Sequence, residues 1–182
     1  GVLGVITGSE KYPGAAVLGV EAAHHAGIGM VRYLGTQSVA QLVFASRPEI
    51  VTVAGKVDAW LVGSGIDPED LSKADRDIIL EAVTYGKPVV MDAGALAFLP
   101  DTTSPAIITP HEGELERILP RGKDSLEEWA ARAASILGVV VVLKGHTTWI
   151  AGASGGPNES FLRSVTTSTT WLATAGTGDV LA

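Results

Sequence analysis

Short apolar runs alternate along this chain with longer stretches that have helical spacing. The clearest run is Val139–Leu143, which contains only aliphatic residues. A strand without polar alternation is typical of a parallel sheet that helices cover on both faces. The repetition of strand, helix and strand therefore predicts an α/β fold with a central, mostly parallel, doubly wound sheet.

The elements of this fold can be placed from apolar spacing and from turn residues. Three helices are predicted, at Ala15–Ala26, at Pro68–Tyr85 with Asp67 as its N-cap, and from Asp124 to a stop at Gly138. The predicted strands are Val2–Thr7, Met30–Leu34, Ile50–Val53, Ala59–Val62, Pro88–Asp92, Ala106–Thr109, Val139–Leu143, Thr148–Ala151 and Phe161–Val165. The 182 residues fit one domain, 1–182.

Charge and cysteine content exclude several classes of function. The formal net charge is −7, and no basic run opposes it, so we expect no nucleic-acid partner. The chain has no cysteine, which excludes disulfides and thiolate metal sites and suits a cytoplasmic protein. No apolar run approaches the length that spans a bilayer, and we expect no membrane partner.

Ligands of doubly wound sheets bind beyond the carboxyl ends of the strands. Four predicted strands end there in polar or glycine-rich turns, which should share one rim of the sheet. These turns are Gly63-Ser64-Gly65, Asp92-Ala93-Gly94-Ala95, Thr109-Pro110-His111 and Lys144-Gly145-His146-Thr147-Thr148. The loop Gly8–Ala15 could wrap a substrate on the same rim, although it lacks the dinucleotide fingerprint.

The sequence Gly176-Thr177-Gly178-Asp179 is the most informative motif. Two glycines let the backbone N–H groups approach an anion, and a helix beginning here would favour negative charge. Asp179 could accept a hydrogen bond from a substrate hydroxyl and orient it towards a phosphorus atom. The alternative is a glycine turn capped by an aspartate.

Other rim residues also have two interpretations. Lys144 could neutralise a phosphate or simply end a strand, and His111 could bind a ligand or cap a helix. Asp92 could help to hold Mg²⁺ through water or cap a helix. His111 has no second ligand at a metal-binding spacing, so we predict no zinc site. Of the four tryptophans, only Trp171 is expected to line a ligand pocket.

Taken in order, the motifs resemble the ADP/ATP-dependent NAD(P)H-hydrate dehydratases, whose carbohydrate-kinase-like domain has the ribokinase-like three-layer α/β/α fold. The combination of Thr-Pro-His-x-Gly-Glu with Gly-Thr-Gly-Asp is specific, because sugar kinases of this fold share mainly the second motif. The matching segments are Tyr12–Ala16, Ala26–Val31, Gly63–Gly65, Met91–Leu96, Thr109–Glu114, Val142–Gly145 and Ala173–Ala182.

The resemblance implies the reaction and the site. These enzymes use ATP or ADP, with Mg²⁺, to remove the hydroxyl of the S epimer of hydrated NADH or NADPH as water. The implied route phosphorylates the hydroxyl and then eliminates phosphate. Asp179 would be the catalytic base. The hydrated cofactor would contact Ala15, Gly65, His111 and Asp179. The adenine nucleotide would contact Lys144, Gly145, His146, Thr147, Thr148, Gly176, Thr177 and Gly178.

The sequence departs from the family pattern near its end. The stretch Thr166–Trp171 replaces an Asn-Pro-Thr-Gly-Asn-Pro-like segment, and Ala175 replaces a glycine, which requires a negative φ at Ala175. Family members continue through further helices, so we expect these C-terminal helices to be absent from this chain. A kinase of a small alcohol and a non-catalytic nucleotide-binding fragment are the alternatives. The family also suggests a homo-oligomer and a fused or separate epimerase.

Overall fold

A computed structural model describes residues 1–153, 160–167, 169 and 174–182. The helices are α1 (Pro13–His25), α2 (Gln37–Ser46), α3 (Lys73–Thr84), α4 (Glu112–Ile118), α5 (Leu126–Leu137) and α6 (Thr177–Leu181). The strands are β1 (Val2–Ile6), β2 (Met30–Tyr33), β3 (Ala59–Val62), β4 (Val89–Met91), β5 (Ala106–Ile108), β6 (Val140–Leu143), β7 (Thr147–Ala153) and β8 (Ser160–Thr166). The chain divides into unit 1, residues 1–105 with 174–182, and unit 2, residues 106–173.

Unit 1 is a parallel sheet with strand order β2-β1-β3-β4. On one face, apolar residues of the strands pack against α1 and α2 in a continuous core, of which Val5, Tyr33 and Val43 are members. The buried side of α1 consists mainly of small residues, which allows the helix to lie close to the sheet. On the other face Trp60 covers Gly4, and its ring meets Tyr85 at the end of α3 edge to face at 5.9 Å.

Unit 2 has strand order β5-β6-β7-β8. The pair β5–β6 is parallel, whereas β6–β7 and β7–β8 are antiparallel. Helix α5 begins at a capping box between Ser125 and Glu128 and ends at Gly138 in the left-handed conformation. The stop that the sequence predicts at Gly138 is therefore confirmed.

The predicted α/β class with mostly parallel strands is confirmed, but two predicted elements are wrong in detail. The helix expected at Pro68–Tyr85 begins only at Lys73. The hydroxyl of Ser72 accepts a hydrogen bond from the backbone amide of Asp75 and so caps the helix at that point. The carboxylate of Asp67 instead accepts the amide of Glu69 within a turn. The strand expected at Ile50–Val53 is reduced to an isolated bridge between Val51 and Arg32.

Two elements are present that the sequence did not predict. Helix α2 has neither a side-chain cap bond at Thr36 nor a charged residue in its end turns, so its sequence has no recognisable boundary. A 3₁₀ helix spans Ala93–Asp101 and contains Pro100. Among the described residues, no helix is long and apolar enough to cross a membrane. The prediction of one domain over residues 1–182 stays a prediction.

Candidate active site

The loops that follow β1, β3 and β4 in unit 1 are locked together by glycines. Gly63 has a φ of +117°, and a side chain there would collide with the carbonyl of Asp92. A side chain at Gly94 would collide with the carbonyl of Ile66. The amide of Gly8 donates to the carbonyl of Ser64 at 2.7 Å. These contacts fix the backbone where parallel strands present ligands.

Ala15 and Gly65, both predicted to bind substrate, are in direct contact although they are far apart in sequence. Gly65 has a φ of +70°, and a Cβ on it would lie 2.6 Å from the Cβ of Ala15 and 3.0 Å from the carbonyl oxygen of Tyr12. Ala15 itself is buried in the first turn of α1. The backbone at Gly65 is therefore held against the N-terminal turn of α1.

The side chain of Asp92 makes no helix-cap hydrogen bond and is buried from solvent. Its carboxylate is buried and accepts a hydrogen bond from the hydroxyl of Ser64 at 3.0 Å. It occupies the N-cap of the 3₁₀ helix without making a side-chain cap bond. Its observed contact thus supports the Gly63–Gly65 turn.

Asp179 lies in the first turn of α6, as predicted, and α6 packs against α1. A Cβ on Gly19 of α1 would lie 3.8 Å from the carbonyl oxygen of Asp179 and 3.9 Å from the hydroxyl oxygen of Thr7. The Thr7 side chain is fully buried, and its hydroxyl makes no hydrogen bond within the described part of the chain. Thr7 precedes the glycine of the first loop, and no sequence pattern indicated a role for it beyond ending a strand.

The turn before Asp179 has the backbone that the motif requires. Gly176 is left-handed with a φ of +89°, and a Cβ on it would lie 2.7 Å from Leu18 of α1. The hydroxyl of Thr177 donates to the carbonyl of Thr174 at 2.9 Å. Ala93 is the one described non-glycine residue with a positive φ, so Ala175 meets its requirement for a negative φ.

In unit 2, His111 and Lys144 are brought together by a parallel backbone bridge. The amide of Lys144 donates to the carbonyl of Pro110 at 2.8 Å. His111 is the N-cap of α4. Its ring nitrogen Nδ1 accepts a hydrogen bond from the backbone amide of Glu114, and the carboxylate of Glu114 accepts one from the backbone amide of His111. The capping interpretation of His111 is therefore confirmed. Its side chain is still 55% exposed, so the cap leaves room for ligand contact.

The segment Lys144–Thr148 comprises the turn between β6 and β7 and the first two residues of β7. Gly145 and His146 are exposed, and a Cβ on Gly145 would lie 3.2 Å from the carbonyl oxygen of Thr147. The hydroxyl of Thr148 reaches the carbonyl of Gly145, and the hydroxyls of Thr147 and Thr166 are 2.9 Å apart. The predicted nucleotide contacts of unit 2 thus lie in one turn and at the start of the strand that follows it, with Gly145 exposed.

Beside the first loop, an ion cluster joins Lys11 to two aspartates, and no motif in the sequence indicated this pairing. The ammonium of Lys11 lies 2.9 Å from Asp70 and 3.3 Å from Asp67. Hydrogen bonds to Asp70 and Asp67 raise the pKa of Lys11 above its usual value. No group of three or more His, Asp or Glu side chains that could hold a metal ion occurs among the residues described.

A groove of about 840 Å³ lies elsewhere in unit 1, between α2 and α3, with Phe44, Trp60 and Tyr85 in its walls. It contains none of the predicted site residues, so it is not the candidate site. Trp171, predicted to line a pocket, lies outside the described residues. Ser168 and Thr170 of the segment Thr166–Trp171, and Ala173 of the segment Ala173–Ala182, also lie outside the described residues.

Comparisons with known proteins agree across the whole chain. The family model described as NAD(P)H-hydrate dehydratase matches residues 3–182. All of the chain aligns at 40% identity with the bifunctional NAD(P)H-hydrate repair enzyme Nnr of Mycobacterium tuberculosis, but it spans only 39% of that protein. The ADP-dependent (S)-NAD(P)H-hydrate dehydratase of Bacillus subtilis is 31% identical over 97% of this chain and 68% of its own length.

The structural comparisons give the same result. The ADP/ATP-dependent NAD(P)H-hydrate dehydratase of Bacillus subtilis, co-crystallised with ATP and Mg²⁺, has a TM-score of 0.82 at 30% identity. A ribokinase-like superfamily protein of Enterococcus faecalis has a TM-score of 0.80 at 26% identity. All of this chain is covered in both cases, together with 71% and 68% of the respective neighbours. The predicted ribokinase-like fold is confirmed.

Proposed function

The chain belongs to the NAD(P)H-hydrate dehydratase family, and from this premise we propose that it restores NADH or NADPH from the S epimer of the hydrated cofactor, using ATP or ADP. The activity is that of a hydro-lyase. The observation that most supports it is the contact of Gly65 with Ala15, because the two residues expected to bind the hydrated cofactor adjoin in the folded unit.

Asp179 is the proposed catalytic base. Its place in the first turn of a helix favours the ionised carboxylate, which can accept a hydrogen bond from the hydroxyl of the hydrated nicotinamide ring. That bond orients the hydroxyl oxygen towards the terminal phosphorus of the nucleotide. In phosphoryl transfer such positioning, together with stabilisation of charge, provides most of the rate enhancement. Elimination of the phosphate from the ring then restores the cofactor.

The remaining proposed contacts hold the two substrates. Ala15, Gly65 and His111 would bind the hydrated cofactor with Asp179. Lys144 would offset phosphate charge. The other proposed nucleotide contacts are Gly145, His146, Thr147, Thr148, Gly176, Thr177 and Gly178. Exposed backbone at Gly145 and the left-handed Gly176 suit close approach of a phosphate-bearing ligand.

Mg²⁺ fits this chain as an ion held chiefly by the nucleotide. Mg²⁺ keeps several waters and is usually bound through phosphates with one or two carboxylates. Among the described residues, no group of three or more His, Asp or Glu side chains could hold the ion without the nucleotide. When bound, the ion would neutralise charge on the phosphates.

The cellular setting is also proposed from the family. We expect a cytoplasmic enzyme that forms a homo-oligomer. The bifunctional relatives suggest cooperation with an epimerase, fused or separate, that would supply the S epimer.

The test is regeneration of reduced nicotinamide, followed by its near-ultraviolet absorbance. The S epimer of hydrated NADH is mixed with Mg²⁺, the protein and either ATP or ADP, and the control omits the nucleotide. A rise that depends on the nucleotide is the expected result. No rise with either nucleotide would contradict the proposal. In that case, release of ADP on addition of small alcohols would support the kinase alternative.

A further inference from the structure

The four residues Gly63–Ile66, which follow β3 in unit 1, form a type II turn. The amide of Ile66 donates to the carbonyl of Gly63 at 3.0 Å and closes the turn. Gly65, the third residue, has a φ of +70°, whereas the φ of Ser64 is negative. A positive φ at the third position alone is the mark of type II, and glycine adopts it without steric cost.

The central peptide of this turn, between Ser64 and Gly65, has a defined orientation. Its carbonyl accepts the amide of Gly8 in the first loop at 2.7 Å. Because the C=O and N–H groups of a trans peptide point in opposite directions, the Gly65 amide points away from the first loop. That amide donates to no atom of the residues that the structure describes, and Gly65 is only partly buried. It is therefore available to donate to a ligand.

A buried hydrogen bond fixes the side chain of the same turn. The hydroxyl of Ser64 donates to the carboxylate of Asp92 at 3.0 Å, and the two residues are only 1% and 3% exposed. The backbone of Asp92 is itself fixed, because its amide donates to the carbonyl of Val62 and its carbonyl packs directly against Gly63. The turn is thus tied to the first loop through its backbone and to the loop after β4 through its side chain.

A carboxylate is a costly group to bury for this purpose. Desolvation opposes its burial, and apolar side chains in the same space often give equal or greater stability. A hydrogen bond to a carboxylate is, however, stronger and more directional than one between neutral groups. The pair of Ser64 and Asp92 is therefore better suited to fixing the geometry of the turn than to stabilising the fold.

Building on the proposed function, we propose that Ser64 and Asp92 are positioning residues for the hydrated cofactor. Their hydrogen bond holds the central peptide in the type II orientation, in which the Gly65 amide donates to an acceptor oxygen of the cofactor. Type I and type II turns differ chiefly by rotation of this peptide. Without the bond the peptide rotates more freely, and the amide spends less time in the orientation that binds. Neither side chain needs to touch the substrate.

Ser64→Ala is the most direct test, because it removes the hydrogen-bond donor and adds no atom. The dissociation constant of hydrated NADH, measured by calorimetry without adenine nucleotide, should rise about tenfold. The dissociation constant of ATP should stay at the wild-type value. The kcat at saturating hydrated NADH should change much less than the dissociation constant, because the proposed loss is one of binding geometry.

Hydrogen exchange supplies a second measurement that needs no ligand. The Gly8 amide donates to the carbonyl of the same central peptide, so rotation of that peptide breaks this bond. In Ser64→Ala the Gly8 amide should therefore exchange several-fold faster than in the wild type when followed by nuclear magnetic resonance.

Ser104→Ala is the matched control. Ser104 is also buried in unit 1, and its hydroxyl accepts the amide of Gly86 at 2.9 Å, after the end of α3. This variant also removes one hydrogen bond from a buried serine, but Ser104 and Gly86 have no part in the turn. It should lower the free energy of unfolding in urea while the affinity for hydrated NADH and the exchange of the Gly8 amide stay at their wild-type values.

A double-mutant cycle tests the pairing of the two side chains. Asp92→Asn keeps an acceptor oxygen but removes the charge, so its dissociation constant for hydrated NADH should lie between those of the wild type and Ser64→Ala. The double variant should bind more tightly than the product of the two single effects predicts, because both changes act on one hydrogen bond.

These measurements can overturn the positioning role without touching the proposed function. Unchanged affinity or unchanged Gly8 exchange in Ser64→Ala would overturn it, as would equal changes in Ser104→Ala or single effects that simply multiply. Binding of hydrated NADH by the wild type without nucleotide-dependent dehydration would refute the proposed function alone, since the affinities still decide the positioning role. Absence of binding to the wild type would overturn both.

Discussion

Replacing Gly65 by alanine tests the geometry of the candidate site most directly. Gly65 has a φ of +70°, and an added Cβ would lie 2.6 Å from the Cβ of Ala15, a distance that real carbon atoms do not tolerate. The left-handed conformation costs an alanine about 1–2 kcal/mol. Forcing a methyl group into filled space costs about 1–3 kcal/mol more. We therefore expect Gly65→Ala to lower the free energy of unfolding by about 2–5 kcal/mol.

Gly86 provides a matched control for the backbone contribution. Its φ is +79°, and no atom lies within 4 Å of the position that a Cβ would take. Gly86→Ala should therefore cost only the conformational strain, about 1–2 kcal/mol. The double variant Ala15→Gly with Gly65→Ala removes the overlapping methyl group and should recover part of the steric loss, since the carbonyl oxygen of Tyr12 still lies 3.0 Å from the added Cβ.

Urea unfolding at constant protein concentration measures these differences. Equal losses in Gly65→Ala and Gly86→Ala would refute the contact between Gly65 and Ala15, and so would a double variant that recovers nothing. Near-normal stability of Gly65→Ala would refute the described backbone conformation as well. In the folded fraction of Gly65→Ala we expect a raised KM for the hydrated cofactor, since the methyl group displaces the loop that contacts it.

Three further predictions test other parts of the molecule. Asp179→Asn should lose about a hundredfold or more in turnover while calorimetry shows unchanged nucleotide affinity, and wild-type turnover would remove the carboxylate from the mechanism. Thr7→Val should raise the free energy of unfolding in urea by about 1 kcal/mol, because it removes a buried hydroxyl that has no partner among the described residues; a fall would reveal a hidden partner. Hydrogen bonds from Arg47 lower the pKa of Glu21 from 4.5 to about 2. The contribution of this ion pair to the free energy of unfolding is therefore fully present above pH 4.5 and is lost as the pH falls towards 2. The stability difference between wild type and Glu21→Gln should close over that range in urea titrations, and a difference independent of pH would exclude this ion pair as its cause.

Local signals in the sequence predicted much of the fold because they act over a few residues. The apolar run at β6 and the glycine after α5 appear in the structure as expected. The start of α3 was misplaced because Asp67-Pro68 and Ser72 both resemble a helix start. The choice depends on which cap the surrounding fold can accommodate. Helix α2 was missed because Thr36 makes no cap bond and no charge pattern separates the helix from its neighbours.

In the candidate site, too, features set by neighbouring residues could be predicted, whereas contacts between residues far apart in the sequence could not. The spacing of motifs identified Asp179, His111 and Lys144 as residues at element ends, and the structure places all three there. The pairing of Lys11 with Asp67 joins residues 56 positions apart, so no local pattern could indicate it. The unsatisfied hydroxyls of Thr7 and Thr36 are properties of packing, which an isolated sequence does not display.

The contacts among the loops after β1, β3 and β4 restrict where insertions and deletions can occur during evolution. The contacts of Gly8 with Ser64, of Gly63 with Asp92 and of Gly94 with Ile66 join the backbones of neighbouring loops. An inserted or deleted residue in one loop would therefore displace the other two, and compensating changes would have to arise together. The turn at Gly122 is exposed, with open space where a Cβ would lie. Length variation and engineered insertions should therefore be tolerated at Gly122 and be rare in the three joined loops.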